Sequence, residues 1–203
     1  MWMAAKVCAH KKYFYESAKI SFISMSVPTS PVHQIRESTF TLPRPEILLR
    51  KLQESDLLPL EWHGGADLRS FYQNEWTAQQ AGTVLVIVAD FNHFPIAQAA
   101  IHWLGKPTHP HIPDIQSVRV LDAFQGQGIG SKLLETGESI VRSRKHSQVS
   151  LAVALENEGA RRLYERHNYR VTGTPYEDKW SYIDAKGNVV EVSELVTDMM
   201  KDL

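Results

Sequence analysis

Gly126, Gly128 and Gly130 stand at alternate positions in Gln125-Gly126-Gln127-Gly128-Ile129-Gly130, just after the apolar Val118-Arg119-Val120 and just before a stretch with helical spacing. Glycines in that setting leave backbone N–H groups uncovered by side chains, and the start of a helix adds the positive end of its dipole. Such a loop binds phosphate. Its spacing sets it apart from two other phosphate loops. The dinucleotide fingerprint runs Gly-x-Gly-x-x-Gly, and the mononucleotide loop ends in Gly-Lys followed by Ser or Thr, whereas this chain has Gly130-Ser131-Lys132. On the glycines alone, a loop kept small for close helix-to-strand packing is an equally good reading.

Other residues with chemical potential give weaker patterns. His102 falls in a strand pattern, and His109 and His111 lie in a proline-rich loop with no carboxylate pattern around them, so no metal site is expected. Neutral imidazoles such as these can instead relay protons beside a site. Cys8 is the only cysteine, which excludes an intrachain disulfide and a cysteine-based zinc site and fits a reducing cytoplasm.

Elements that position the loop follow from periodicity. Residues 47–52 suit a first strand, Asp56 is placed to cap a helix starting near Pro59, and residues 66–80 read as a second helical stretch. Residues 83–89 are nearly all apolar and β-branched, the pattern of a strand buried on both faces. A turn at 90–93 leads into a returning strand over 96–104, and the proline-rich 106–113 leads to a strand over 115–120. Beyond the loop, Ile129, Leu133, Leu134, Gly137, Ile140 and Val141 recur on one helical face. Val149, Leu151, Val153 and Leu155 alternate with Ser150, Ala152 and Ala154, a strand whose second face is small. A helix over 158–167 follows. The last forty residues read as a hairpin, 169–184 and 189–200, around Ala185-Lys186-Gly187-Asn188, and this hairpin is a candidate pairing surface for a homodimer.

Two segments in this order resemble the acetyltransferases of the GNAT family. The first is Val118-Arg119-Val120, four further residues, then Gln125-x-x-Gly128-x-Gly130 and a Leu-rich helix; the second is Asn157-Glu158-Gly159-Ala160-Arg161-Arg162-Leu163-Tyr164-Glu165-Arg166. The resemblance covers about residues 47–200. It implies an α/β (α+β) fold with a central, largely antiparallel mixed sheet of six or seven strands, splayed between strands 115–120 and 149–155 and flanked by helices. It also implies that acetyl-coenzyme A is the cosubstrate. Its pyrophosphate would lie on Gln125, Gly126, Gln127, Gly128, Ile129 and Gly130, with Ser131 close behind, and its pantetheine arm would pair with the backbone of Val118 and Val120 and touch Asn157. Tyr164 matches the family's general acid, and an ordinary tyrosine is protonated at neutral pH as that role needs. On its helix Tyr164 also sits in the apolar stripe, where an aromatic is commonly core. Asp114 matches a position often held by Glu at the start of the strand leading into the loop; being one methylene shorter, it either serves as the base, directly or through water, or only terminates the strand. The family's usual Gly-Phe ending is here Asn168-Tyr169.

The implied activity is transfer of an acetyl group to a primary amine, on a small molecule or a protein, by direct attack in a ternary complex, with the developing oxyanion on a backbone amide of strand 118–120. A non-enzymatic acyl-coenzyme A sensor on the same fold is the alternative. Bulk properties agree with a soluble chain: 43% hydrophobic and 22% charged residues, no run of about 20 apolar residues, and a net charge of −1 that draws it to neither nucleic acid nor membrane. Residues 1–45 read as a tail and linker, with four prolines between Ser26 and Pro45, and the domain is expected to span 46–203.

Overall fold

The structure is a computed structural model that describes residues 46–203; the tail and linker reading of residues 1–45 lies outside them. The chain runs through β1 (Ile47–Lys51), α1 (Arg69–Gln80), β2 (Val84–Phe91), β3 (Phe94–His102), the short β4 (Gly105–Lys106) and β5 (His109–Pro110), and β6 (Asp114–Val120). It continues through α2 (Ile129–Ser143), β7 (Gln148–Ala154), α3 (Glu158–Arg166), β8 (Arg170–Ile183) and β9 (Val189–Asp202). Seven strands form one sheet in the order β1-β2-β3-β6-β7-β9-β8. Every adjacent pair is antiparallel except β6 and β7, which run parallel and share a single partnered pair, Asp114 with Ser150. The mixed, splayed sheet implied by the sequence is therefore present.

Both faces of the sheet are covered, as the run at 83–89 requires. All of β2 is buried except Phe91. One face packs Leu85, Ile87, Ile101, Ile115, Leu151 and Met199 against Leu133, Leu134 and Val141 of α2. The other packs Val84, Val86, Val88 and Ala100 against Tyr72 of α1 and Leu60. Gly137 lets α2 approach the sheet closely, since a Cβ there would stand 3.1 Å from Ile115 Cδ1.

Two local readings change. The stretch from Pro59 is a 3-10 turn, Pro59–Trp62, and Asp56 does not cap it. Asp56 is buried and bound by both Arg50 Nη atoms, at 2.6 and 2.8 Å, while Arg50 Nε donates to Asp90 at 2.8 Å. A buried carboxylate takes the partner that neutralises its charge, and Arg50 also lifts its own pKa through these bonds. The second change lies in β6. Register places Gln98 opposite Arg119 and Ala100 opposite Gln116, so Ser117 and Val118 together oppose Ala99. This is a β-bulge, with Ser117 at φ 52°. No helix among the described residues is long and apolar enough to cross a membrane.

Candidate active site

The bulge bends β6 away from β7 beyond their one shared pair, and a cleft opens between the two strands. Its lining includes Asp114, Gln116, Ser117 and Val118 of β6, Ala152 and Ala154 of β7, Asn157, Ala160 and Tyr164 around α3, and Tyr176 and Asp178 of β8. Strand alternation decides which side each residue serves. Val153 and Leu151 turn toward the α2 side, whereas Ser150, Ala152 and Ala154 turn toward the α1 side with their register partners Met200, Asp198 and Val196. The small second face read from the sequence is thus the floor of a recess.

At the C-terminal end of β6 the glycine loop enters α2. Gly126 and Gly128 have φ of 74° and 85°, a left-handed backbone that only glycine adopts without strain, and a Cβ on either would meet nothing within 4 Å. Backbone shape, not crowding, fixes glycine here. Gly128 is the N-cap of α2 and supplies no side-chain bond to the helix amides; the first intrahelical bond is Lys132 N to Gly128 O at 3.0 Å. The amides of Ile129, Gly130 and Ser131 therefore lack helical acceptors. Gln125 and Gln127 do not shield them: Gln125 Nε2 donates to Val120 O and Asp122 Oδ1, and Gln127 Nε2 donates to Ala123 O. The loop presents bare amides at a helix N-terminus, the arrangement that holds an anion.

Asn157 caps α3 by accepting from Ala160 N at 3.0 Å. Seven residues on, Tyr164 is 7% exposed, its ring 6.1 Å from that of Tyr169. Burial, with a smaller push from the Asp114 charge, raises its pKa to about 12. It is protonated at any ordinary pH. Among the described residues no hydrogen bond engages its hydroxyl.

Asp114 is fully buried at the closed end of the cleft. Ser150 Oγ donates to its Oδ1, Lys106 Nζ stands 3.1 Å from the same atom, and Oδ2 has no hydrogen-bond partner among the described residues. Burial raises its pKa, and the Lys106 charge opposes that rise. Lys106 also pairs with Asp198, which in turn receives the Tyr176 hydroxyl at 3.1 Å and lies 3.2 Å from His109 Nδ1. Nothing in the local sequence marked Lys106 as buried; the β4–β5 hairpin carries it to Asp114 and Asp198, whose charges compensate its own. Asp178 lines the cleft at 9% exposure, and burial raises its pKa.

Of the sequence-predicted positions, Asp114, Val118, Asn157 and Tyr164 line one cleft, with the Gln125 to Ser131 loop following the same strand's end. Val120 packs against the core beside Gly130, its Cγ2 3.9 Å from where a Cβ on that glycine would stand. His109 reaches the cleft's buried charges, whereas His102 pairs with Glu75 of α1 at 3.5 Å and His111 is exposed. Among the described residues no group of three or more metal-binding side chains is found. Sequence reasoning missed Lys106, Tyr176, Asp178 and Asp198; the alternation of 176, 178 and 180 along β8 was the available signal. It also missed Arg119, buried under α1, whose Nη1 lies 3.0 Å from His63 Nδ1. Burial and that guanidinium hold His63 down to about 3, so its ring is neutral and accepts the bond.

Residues 47–169 match the family model described as "Acetyltransferase (GNAT) family". No curated protein matches the chain. Among solved structures, the ribosomal-protein-alanine N-acetyltransferase from Brucella melitensis is similar at a TM-score of 0.57 and 21% identity, over 77% of this chain and 99% of that one. An N-acetyltransferase from Staphylococcus aureus Mu50 gives 0.58 at 13% identity, covering 77% and 98%. A GNAT family acetyltransferase from Elizabethkingia anophelis, solved with acetyl-CoA bound, gives 0.52 at 17% identity, again covering 77% and 98%. Identities this low carry the fold alone, but the family model takes in well over half of the 203 residues. With two motifs in order on a sheet splayed at the strand between them, this chain belongs to the acetyltransferase (GNAT) family.

Proposed function

We propose that the protein moves an acetyl group from acetyl-coenzyme A to a primary amine by direct attack in a ternary complex. The observation that carries this is the cleft between β6 and β7, two parallel strands with one partnered pair, leading to bare helix amides. Backbone groups along the open strand edges need partners. An extended pantetheine arm with its own amides suits them, and a pyrophosphate suits the loop. The Elizabethkingia anophelis structure with acetyl-CoA bound supports the same choice of cosubstrate.

In this reading the amides of the Gln125 to Ser131 segment hold the pyrophosphate, and the backbone of Val118 and Val120 with the Asn157 side chain holds the arm. The amine must lose a proton before it attacks, because only the neutral nitrogen is a nucleophile. Asp114 receives that proton through water, since its carboxyl is fully buried and tied to Lys106 and Ser150. The N–C bond forms as negative charge grows on the carbonyl oxygen, which a backbone amide at the β6 bulge stabilises. The C–S bond then breaks, and the Tyr164 hydroxyl gives its proton toward the leaving sulfur. The tyrosine regains a proton from the new amide nitrogen's side through solvent.

Release of coenzyme A thiol with an amine panel, alongside calorimetric titration of acetyl-coenzyme A, tests the reading. Binding plus amine-dependent thiol release is expected. Binding without thiol release from any amine would make the protein a sensor, and no binding at all would end the acyl-coenzyme A reading.

A further inference from the structure

The α1 side of the cleft carries more negative charge than acyl transfer uses. Ala152 and Ala154 form its small floor, and Asp198 and Val196 stand beside them in register on β9. One strand further, Tyr176 lies opposite Val196 and Asp178 opposite Glu194. The recess is therefore walled by Gln116 on one side and by Tyr176 and Asp178 on the other, all three in the lining that also contains Tyr164.

Two of its carboxylates already have partners. Asp114 holds Ser150 and Lys106, and Asp198 holds Lys106, Tyr176 and His109. Asp178 differs: among the described residues no hydrogen bond or ion pair engages its carboxylate, although the Lys106 charge acts on it. Arg119, the other buried cation on this side of the sheet, faces His63, Tyr72 and Glu75 instead. A second observation points to a polar ligand in the same space. Gln116 is 8% exposed and its Nε2 has no hydrogen-bond partner among the described residues, and the same is true of Asp114 Oδ2 in a residue that is fully buried. Buried polar atoms without a protein partner are uncommon unless a ligand or an ordered water completes them.

We propose that this recess is the acceptor subsite and that Asp178 holds the acceptor's ammonium, so that the protein selects cationic amines with no carboxylate beside the nitrogen. This rests on the acyl-transfer reading above. Asp114, Asp178 and Asp198 bring three carboxylates to the recess, and among the described residues Lys106 is the lysine that pairs with two of them. A free amino acid would place its own carboxylate within a few ångströms of Asp178, where a buried like charge is strongly unfavourable. A diamine, or an amine followed by an amide, offers only positive charge and a neutral polar group that Gln116 can meet.

The test uses the full chain and thiol release, with putrescine, glycinamide and alaninamide set against glycine, alanine and serine at equal concentrations of unprotonated amine. The best carboxylate-free acceptor should exceed every free amino acid at least tenfold in kcat/KM. Asp178→Asn should raise the KM for that acceptor at least tenfold, leave the KM for acetyl-coenzyme A unchanged, and shrink the preference to within about threefold. Asp178→Glu, which keeps the charge, should retain most of the preference even where the Asn variant fails to fold. A free amino acid that matches the best amine in the parent protein overturns the proposal, as does an Asn variant with an unaltered preference. If no amine releases thiol, both readings fall, and calorimetry separates loss of cosubstrate binding from loss of transfer.

Discussion

Tyr164→Phe removes one hydroxyl and keeps the ring, so its effect on chemistry separates cleanly from its effect on packing. The ring is 7% exposed and packed beside Tyr169, and Phe fills the same space. Because no hydrogen bond among the described residues ends at that hydroxyl, its loss strands no buried partner, and stability should move by less than about 1 kcal/mol. Tyr164→Ala, by contrast, empties the site and should cost about 3–5 kcal/mol. If the hydroxyl is the acid, turnover of the Phe variant should fall about 10²–10⁴-fold, or about 3–5 kcal/mol of barrier. Its raised pKa constrains how the proton moves. Full transfer from a group at about 12 to a thiolate with an ordinary pKa near 8.5 is uphill by about 5 kcal/mol, so the proton must follow the breaking C–S bond rather than precede it. The same shift predicts that the parent's pH–rate profile has no falling limb from Tyr164 below about pH 11. Single-turnover thiol release with preformed acetyl-coenzyme A complex measures the chemical step directly. A Phe variant within threefold of the parent in that assay, on its best acceptor, would refute the acid role and leave water or the ammonium as the proton source.

Three further outcomes follow from the geometry. Gly128→Glu puts a carboxylate at a left-handed position facing the bare α2 amides, so acetyl-coenzyme A affinity by calorimetry should drop at least tenfold; unchanged affinity in a folded variant would remove the loop from the site. Lys106→Met leaves Asp114 and Asp198 buried without their shared cation and should cost about 3–5 kcal/mol in urea unfolding, whereas a loss under 1 kcal/mol would mean that the pair needs no cation. Burial raises the pKa of both Tyr164 and Tyr169 above the unfolded value near 10. Below pH 10 both states keep the protons and stability is unaffected; above it only the unfolded chain ionises, so stability should fall with rising pH by about 1.4 kcal/mol per unit for each tyrosine until the folded pKa is passed. Urea midpoints at pH 9, 10 and 11 check this, and a flat series would contradict it.

The sequence made legible what local pattern controls. Alternation in 149–155 predicted both the strand and the small face that became the cleft floor, and helical spacing from Ile129 to Val141 predicted the face of α2 that meets the sheet. The glycine loop was visible because its backbone demands a particular residue. What remained hidden depends on partners far along the chain. Lys106 is buried only because Asp198 comes 92 positions later, and Asp56 turned from a cap into an anchor because Arg50, itself held by Asp90 forty positions on, binds it. The bulge at Ser117 is equally silent, since serine carries no signature for a left-handed residue inside a strand. Alternation along β8 put Tyr176 and Asp178 on one face, but which strand they face came only from the register of β8 on β9.

The single pair between Asp114 and Ser150 makes the sheet two plates riveted at one corner. Four strands, β1-β2-β3-β6, lie on one side of the rivet and three, β7-β9-β8, on the other. Beyond backbone pairing, the plates are tied near the rivet by Ser150 N bonding to Pro113 O at 2.9 Å, by Ser150 Oγ on Asp114, and by α2, which lies across both. Farther from the rivet, Ser70 Oγ donates to Ile183 O at 2.8 Å and Asp67 Oδ1 accepts from Ala185 N at 3.1 Å, so the α1 end joins the plates as well. A ligand lying along the seam would act as a weld, adding backbone partners between the plates where a single pair now joins β6 to β7.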